Sequence, residues 1–437
     1  MKGVIFTYLV TIVGVLGGLA NPVYGAAAYF MLAILKPPAL WFWEADRLFV
    51  RWSFYVAIAT LVGWAIHGFG QRTHLSRVWL GVLCLVGFVA WQWVSALASR
   101  FSGPLLYYSA QKITNDMLMI LVALTLITNF KHLRLFTWII LVGTGYVAYE
   151  MNVAYYDGWN RLYFNEFAEI DNNGMAMVFA TAVPLAIGLG AYEKKLWLKG
   201  LAWVWIQFLV NAVFFSFSRT GMLGLLTMTA FIVWLMPNKR RTVWVMLAVI
   251  AGGLFLAGPS VQTRFFSIFV EREQLDASAA SRYVTWYAAI RCMNDHPLYG
   301  VGPRCFALVA KDYGLASGQS VHNSFLQTGA DIGIPGMVML AGIYAGTMLA
   351  MFRNRKARVK TSPWYAYWMA MIFSGVAASV ICSQFIGMER VEMPYMLCLL
   401  GLAAVRVALL EEPAAAGEAA MERMEAVEMS PGAVTVS

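Results

Sequence analysis

The sequence predicts an all-α, polytopic membrane protein, and three observations carry that reading. Of its 437 residues 60% are hydrophobic and only 13% are charged. The mean hydropathy is +0.64. Apolar runs long enough for a helix to cross about 30 Å of hydrocarbon recur along almost the whole chain, and in lipid only helices or closed barrels satisfy their own backbone. The runs lie near 4–20, 23–42, 52–69, 78–98, 114–130, 134–150, 174–192, 197–217, 220–236, 242–258, 334–352, 364–386 and 393–410. At roughly 20 residues per crossing they make about 12 or 13 spans.

Charge orders the loops between them. Arg72 and Arg77, Lys131 and Arg134, Lys194 with Lys195 and Lys199, Lys239 to Arg241, and the run Arg353, Arg355, Lys356, Arg358 and Lys360 fall on alternate loops. The positive-inside bias makes that side the cytoplasm. The net charge of +9 is thereby explained as loop charge, with no nucleic acid required as a partner. The intervening loops, 99–113, 151–173, the turn at 216–220, 259–333 and 387–392, face the periplasm on this reading. Thirteen spans with a cytoplasmic tail put the N-terminus outside, whereas Lys2 and an even count put it inside; both stay open. A single lysine before the first apolar run, without a cleavage site, reads as a first span.

The chain divides into a transmembrane bundle over 1–258, a large outer loop over 259–333, C-terminal spans over 334–410 and a tail over 411–437. The tail's "AAAGEAAMERMEAVEM" reads as a frayed helix or as disorder. Within the large loop, Tyr283, Trp286, Tyr287, Ile290 and Met293 follow the spacing of an amphipathic helix, opened by "DASAAS" and closed by "NDHP". This helix is expected to cap the mouth of the bundle. The five cysteines form no CxxC pair or metal spacing, and a disulfide between Cys292 and Cys305 stays open.

Candidate chemistry collects in the outer loops. Arg219, in "SFSRTG", opposes the positive-inside trend and is crowded by Ser216, Ser218 and Thr220, with Gly221 allowing close backbone approach. An anchoring, snorkelling arginine is the plainer alternative. Arg282 and Arg291 share the amphipathic helix, but nine residues at about 100° each set them on opposite faces, and Arg282 lies nearer the anion-favouring helix start. His322 stands at the entrance of a span beside Asn323, Ser324 and Gln327, groups able to orient an imidazole and bind sugar hydroxyls. In "EIDNNG", Asp171, Asn172 and Asn173 lead into a span, where a helix cap is the simpler role. Arg161 adds another outward cation. Together they describe a site for an anionic, hydroxyl-rich substrate. There is no P-loop, no HExxH and no DxD pair for a metal-held nucleotide sugar, so no metal or cofactor is expected.

"SFSRTG", "SRYVTWYAAIRCMNDHPLYGVGPRCF", "VHNSFLQTGADIGIPG" and "EIDNNGMAM" together resemble the O-antigen ligase and polymerase superfamily of bacterial inner-membrane glycosyltransferases, over roughly residues 150–345. The last motif looks most like the O-glycosylation ligases associated with exosortase systems. Asp331 stands where the commoner residue of the "GE.G..G" turn is glutamate. The resemblance implies a GT-C-like helical fold with a periplasmic helical cap. It implies transfer of a glycan from undecaprenyl diphosphate to an acceptor hydroxyl on a lipid A-core sugar or a protein, without metal. It further implies that Arg219 and Arg282 bind the diphosphate and that His322 activates the acceptor; Arg161, the other outward cation, is counted with the two arginines as diphosphate-binding. A polysaccharide polymerase and a lipid-linked sugar transporter are the alternatives.

Overall fold

The computed structural model describes residues 2–45, 51–101, 103–259, 262–263, 277–387 and 389–428. Its long helices are α1 (Lys2–Ala20), α2 (Pro22–Leu35), α3 (Trp52–Ile66), α4 (Trp79–Ala98), α5 (Pro104–Leu126), α6 (Phe130–Tyr156) and α7 (Asn172–Tyr192). The others are α8 (Leu196–Phe215), α9 (Arg219–Leu235), α10 (Lys239–Ala257), α11 (Ala277–Asp295), α12 (Ser324–Thr361), α13 (Pro363–Cys382) and α14 (Glu392–Glu428). Among the described residues there is no strand, only an isolated bridge between Phe167 and Ile170. The protein is an all-helical polytopic membrane protein.

A helix underlies every segment read as a span, yet eight are both long and apolar enough to cross a membrane by length and composition, with α3 and α9 as shorter apolar helices. The difference from about 12 or 13 has a chemical cause. The helix α5 carries Gln111, Lys112, Asn115 and Asp116; α6 opens with Lys131, His132 and Arg134 and carries Glu150; and α10 opens with Lys239, Arg240 and Arg241. Polar groups at these positions lower the average without breaking the helix.

The centre of the bundle is formed by α7 and the first part of α14, both buried along nearly their whole span, with α7 packed between α8, α9 and α13. Such helices are apolar all round because no face meets water. Side chains tie the helix ends into two groups. At one end Arg134 pairs in a fork with Glu193, Nε to Oε1 at 2.6 Å and Nη2 to Oε2 at 2.5 Å, and Glu411 accepts from Phe130 N and Trp364 Nε1. At the other end, Asn172 Nδ2 donates to Ser216 O, Ser324 Oγ donates to Ile386 O, and Lys112 Nζ donates to Arg390 O. The start of α1 also belongs to this second end, since Gly3 N and Val4 N donate to Glu44, whose short helix follows Ala39 and Leu40, the carbonyls that accept from Arg161.

The sequence begins a span at 334, and the structure explains why the helix nonetheless starts at Ser324. Ile332 and Gly333 leave helical geometry, with Gly333 at φ +81°. A Cβ there would lie 2.0 Å from Leu298 O, so only glycine permits the crossing. Ile334 N donates to Pro297 O at 2.8 Å. A short outer helix, 324–331, is thus hinged onto the long membrane-crossing part.

Two expectations for the outer loop are revised. Of the apolar stripe on α11, Met293 is buried and Trp286 partly so, whereas Tyr283 and Tyr287 are 60% and 66% exposed and Ile290 is also exposed. The packed face is instead Thr285, Ala288, Ala289 and Cys292, because small side chains let α11 sit close against α12 at Gly329, where an added Cβ would meet Met293 Sδ at 2.7 Å. Cys292 and Cys305 are both buried and free, and burial pushes their thiols up to about 11 and about 12.

Candidate functional site

The site is assembled from three chain reversals at one end of the bundle. In "SFSRTG", α8 stops at Phe215, Phe217 takes φ +53°, and Ser218 caps α9 by accepting from Gly221 N at 3.1 Å. Gly221 cannot be larger, since its Cβ would meet Ala176 Cβ at 2.5 Å. That closeness joins the starts of α7 and α9. Ser218 Oγ donates to Asn173 Oδ1 at 2.7 Å.

In "EIDNNG", Ala168 and Glu169 both have positive φ and close the tight turn between Phe167 and Ile170. Asp171 then caps α7, accepting from Gly174 N at 2.8 Å. Asn173 Nδ2 reaches Asp171 Oδ2 and Asn172 Oδ1. The capping role is therefore real for Asp171, and both asparagines brace the two helix starts. Two helix N-termini side by side present partial positive charge to the space above them.

The third reversal holds His322. Its φ is +53°, a conformation that non-glycine residues adopt only where surrounding contacts impose it. Those contacts are present on both flanks. Val321 O accepts from Thr285 Oγ1 at 3.1 Å, and Val321 N donates to Gln327 Oε1 at 3.0 Å. On the other side, Ser324 N donates to Ser383 O at 2.7 Å. The ring is half-buried, with Nε2 3.3 Å from Ser320 Oγ.

Asn323, Ser324 and Gln327, expected to orient the imidazole or bind sugar, are buried and engaged within the protein. Asn323 Oδ1 caps the short helix by accepting from Phe325 N and Leu326 N. Gln327 Nε2 donates to Asp331 Oδ2 at 2.9 Å, and Asp331 Oδ1 accepts from Phe306 N at 2.8 Å. These residues hold the His322 loop in place, and the shorter Asp331 reaches both partners.

Charge shows which of the expected residues share one space. Burial first, then the Arg219 charge, pushes Arg282 below its ordinary value, while the Asp171 carboxylate pulls it back up. Burial likewise lowers His322, with Asp171 raising it and Arg282 lowering it further. Arg219, Arg282, Asp171 and His322 therefore act on one another. Arg291 points away, its guanidinium 5.8 Å from the Tyr313 ring.

Arg161 is the correction. It is 7% exposed, and its guanidinium donates to Leu40 O at 3.0 Å and to Ala39 O. The rings of Phe42, Trp43 and Trp159 lie within about 6 Å of it. Every edge turned toward those carbonyls is occupied, so it braces the short helix Pro37–Leu40 instead of joining the other two arginines. The sequence reading also passed over Thr285 and the 383–386 turn, which grip the His322 loop. Thr285 had a usable signal, a threonine three residues after Arg282 on the same helix; the turn had none.

Residues 204–341 match the model of a family described as O-antigen ligase. The match takes in "SFSRTG", Arg282 and His322 and supports the resemblance to the O-antigen ligase and polymerase superfamily over that part of the chain. No curated protein matches the chain.

Proposed function

We propose that this protein transfers a glycan from undecaprenyl diphosphate to a hydroxyl of a lipid A-core sugar or a protein, at the periplasmic face of the bacterial inner membrane and without a metal ion. The observation that carries the reading is the gathering of two arginines, a carboxylate and an imidazole at one end of the bundle, above two helix N-termini. Two guanidiniums within reach of each other repel, and an anion between them reverses the sign of that interaction.

The donor already carries a good leaving group. The acceptor oxygen attacks the anomeric carbon as the bond from that carbon to the phosphate oxygen breaks. The electron pair leaves on the diphosphate, where Arg219 and Arg282 neutralise the charge that grows. The proton of the acceptor hydroxyl passes to His322, which its depressed pKa keeps neutral near pH 7 and therefore able to accept it. A single in-line displacement inverts the anomeric centre. Lysine and arginine clusters at the opposite end of the bundle support an outward-facing site through the positive-inside bias.

The test uses purified protein in lipid nanodiscs, a lipid-linked donor, a defined acceptor and EDTA. Arg219→Lys and Arg282→Lys are each expected to lose transfer nearly as far as the alanine variants, on the order of 10²-fold, because a forked contact to a diphosphate needs the guanidinium plane. Full activity in both lysine variants would overturn the diphosphate assignment, and loss of wild-type activity on adding EDTA would overturn the metal-free step.

A further inference from the structure

A second cleft opens at the same end of the bundle, outside the matched region. It has a volume of about 540 Å³ and lies between α2, α3, α5 and the start of α14. Sites for small molecules run to roughly 300–1,000 Å³. Its position relative to His322 follows from the loop before α14. Ile386 accepts from Ser324, two residues past His322, while Arg390 O accepts from Lys112 Nζ at 3.4 Å. Lys112 lines the cleft. The His322 loop and the cleft thus flank one short segment of chain.

The charges in the cleft are largely matched. Lys36 Nζ lies 3.1 Å from Glu392 Oε2, and Lys112 Nζ lies 3.7 Å from Glu392 Oε1. Tyr29 hydroxyl donates to Asp116 Oδ1 at 3.4 Å. Such a lining repels an acyl chain, which would strip water from ionic groups, and with Lys36, Arg51 and Lys112 set against Asp116 and Glu392 it carries a single cation in excess, short of the cluster a polyphosphate needs. What it offers freely is neutral polar chemistry. Gln111 and Asn115 stand one helical turn apart on α5, exposed. Trp52, 4% exposed, lines the cleft with an indole N–H that is buried and has no hydrogen-bond partner. Phe54, exposed, adds an aromatic face. Amides, an indole donor and ring faces are the groups that hold sugar hydroxyls and sugar C–H faces.

We infer that this cleft is an oligosaccharide subsite, which holds sugar residues of one substrate while their reacting end lies at His322. The inference rests on the transferase reading for its purpose, but its test does not need turnover. The probe is a fluorescently labelled oligosaccharide released by mild acid from the host cell's lipid-linked glycan, titrated into the full-length protein in nanodiscs and followed by anisotropy. Two variants are used, Trp52→Phe, which keeps the ring and removes the donor, and the double variant Gln111→Leu with Asn115→Leu. The double variant should weaken binding roughly tenfold or more, and Trp52→Phe severalfold, with thermal unfolding unchanged. The same shifts should appear in a His322→Ala background. Unaltered affinity in both variants, or no binding to the wild-type protein, would overturn the subsite. Steady-state kinetics then assigns the sugar, a raised KM for the donor or for the acceptor with kcat preserved. Binding at the cleft without any transfer would sink the transferase reading and leave the subsite standing.

Discussion

The two ends of the bundle use arginine in opposite ways. At the end away from the site, Arg406 is fully buried, and its guanidinium donates to Gln71 O, Thr73 O and Leu124 O. It ties α14 to the end of α5 and to the turn before α4. At the site end, Arg219 and Arg282 are only partly buried and act on each other as like charges. One arrangement closes a structure; the other, in the function proposed, receives an anion. Arg161 shows that distance along the chain does not decide which kind an arginine becomes: it stands at the site end and is nonetheless closed onto backbone carbonyls.

Replacing the two kinds should therefore break different things. Arg406→Met leaves the buried Leu124 carbonyl and the more exposed carbonyls of Gln71 and Thr73 without their donor, at a cost on the order of 2 kcal/mol. Thermal unfolding should fall markedly while the transfer rate per folded molecule is kept; a stable but inactive Arg406→Met protein would erase the contrast. A smaller effect is expected from Asp171→Asn, which retains a side-chain oxygen for the α7 cap. The Asp171 carboxylate raises the pKa of His322, so its removal lowers that pKa further. Because the neutral imidazole is the active form, present above its pKa and lost as pH falls through it, the acid limb of the rate profile should move to lower pH. An acid limb that stays in place, or moves upward, would separate Asp171 from the imidazole.

Most of the helical framework was legible before any coordinates, because hydropathy over about 20 residues reports lipid contact directly. The alternation of charged loops already grouped Arg219, Arg282 and His322 on one side, and the motif resemblance gave them roles, but nothing in local spacing brings residues of three separate loops together. Arg161 misled for the same reason, its partner Leu40 being 121 residues away. The α11 stripe misled differently. Helical periodicity identified the helix, but in a membrane protein an apolar face need not turn inward, and the small residues Ala288, Ala289 and Cys292 decided which side packs. Asn323, Ser324 and Gln327 were read as groups that orient the imidazole or bind sugar, and their burial fits the first of these, a frame that holds His322 at positive φ.

The central claim is that this frame positions a base. The most direct measurement is single-turnover transfer by His322→Ala protein loaded with the lipid-linked donor, beside an independent measure of donor affinity and of thermal unfolding. The rate should fall by a factor on the order of 10²–10⁴, with donor affinity close to wild type because Arg219 and Arg282 still hold the diphosphate, and with the fold intact. Wild-type turnover by well-folded His322→Ala protein would contradict the assignment.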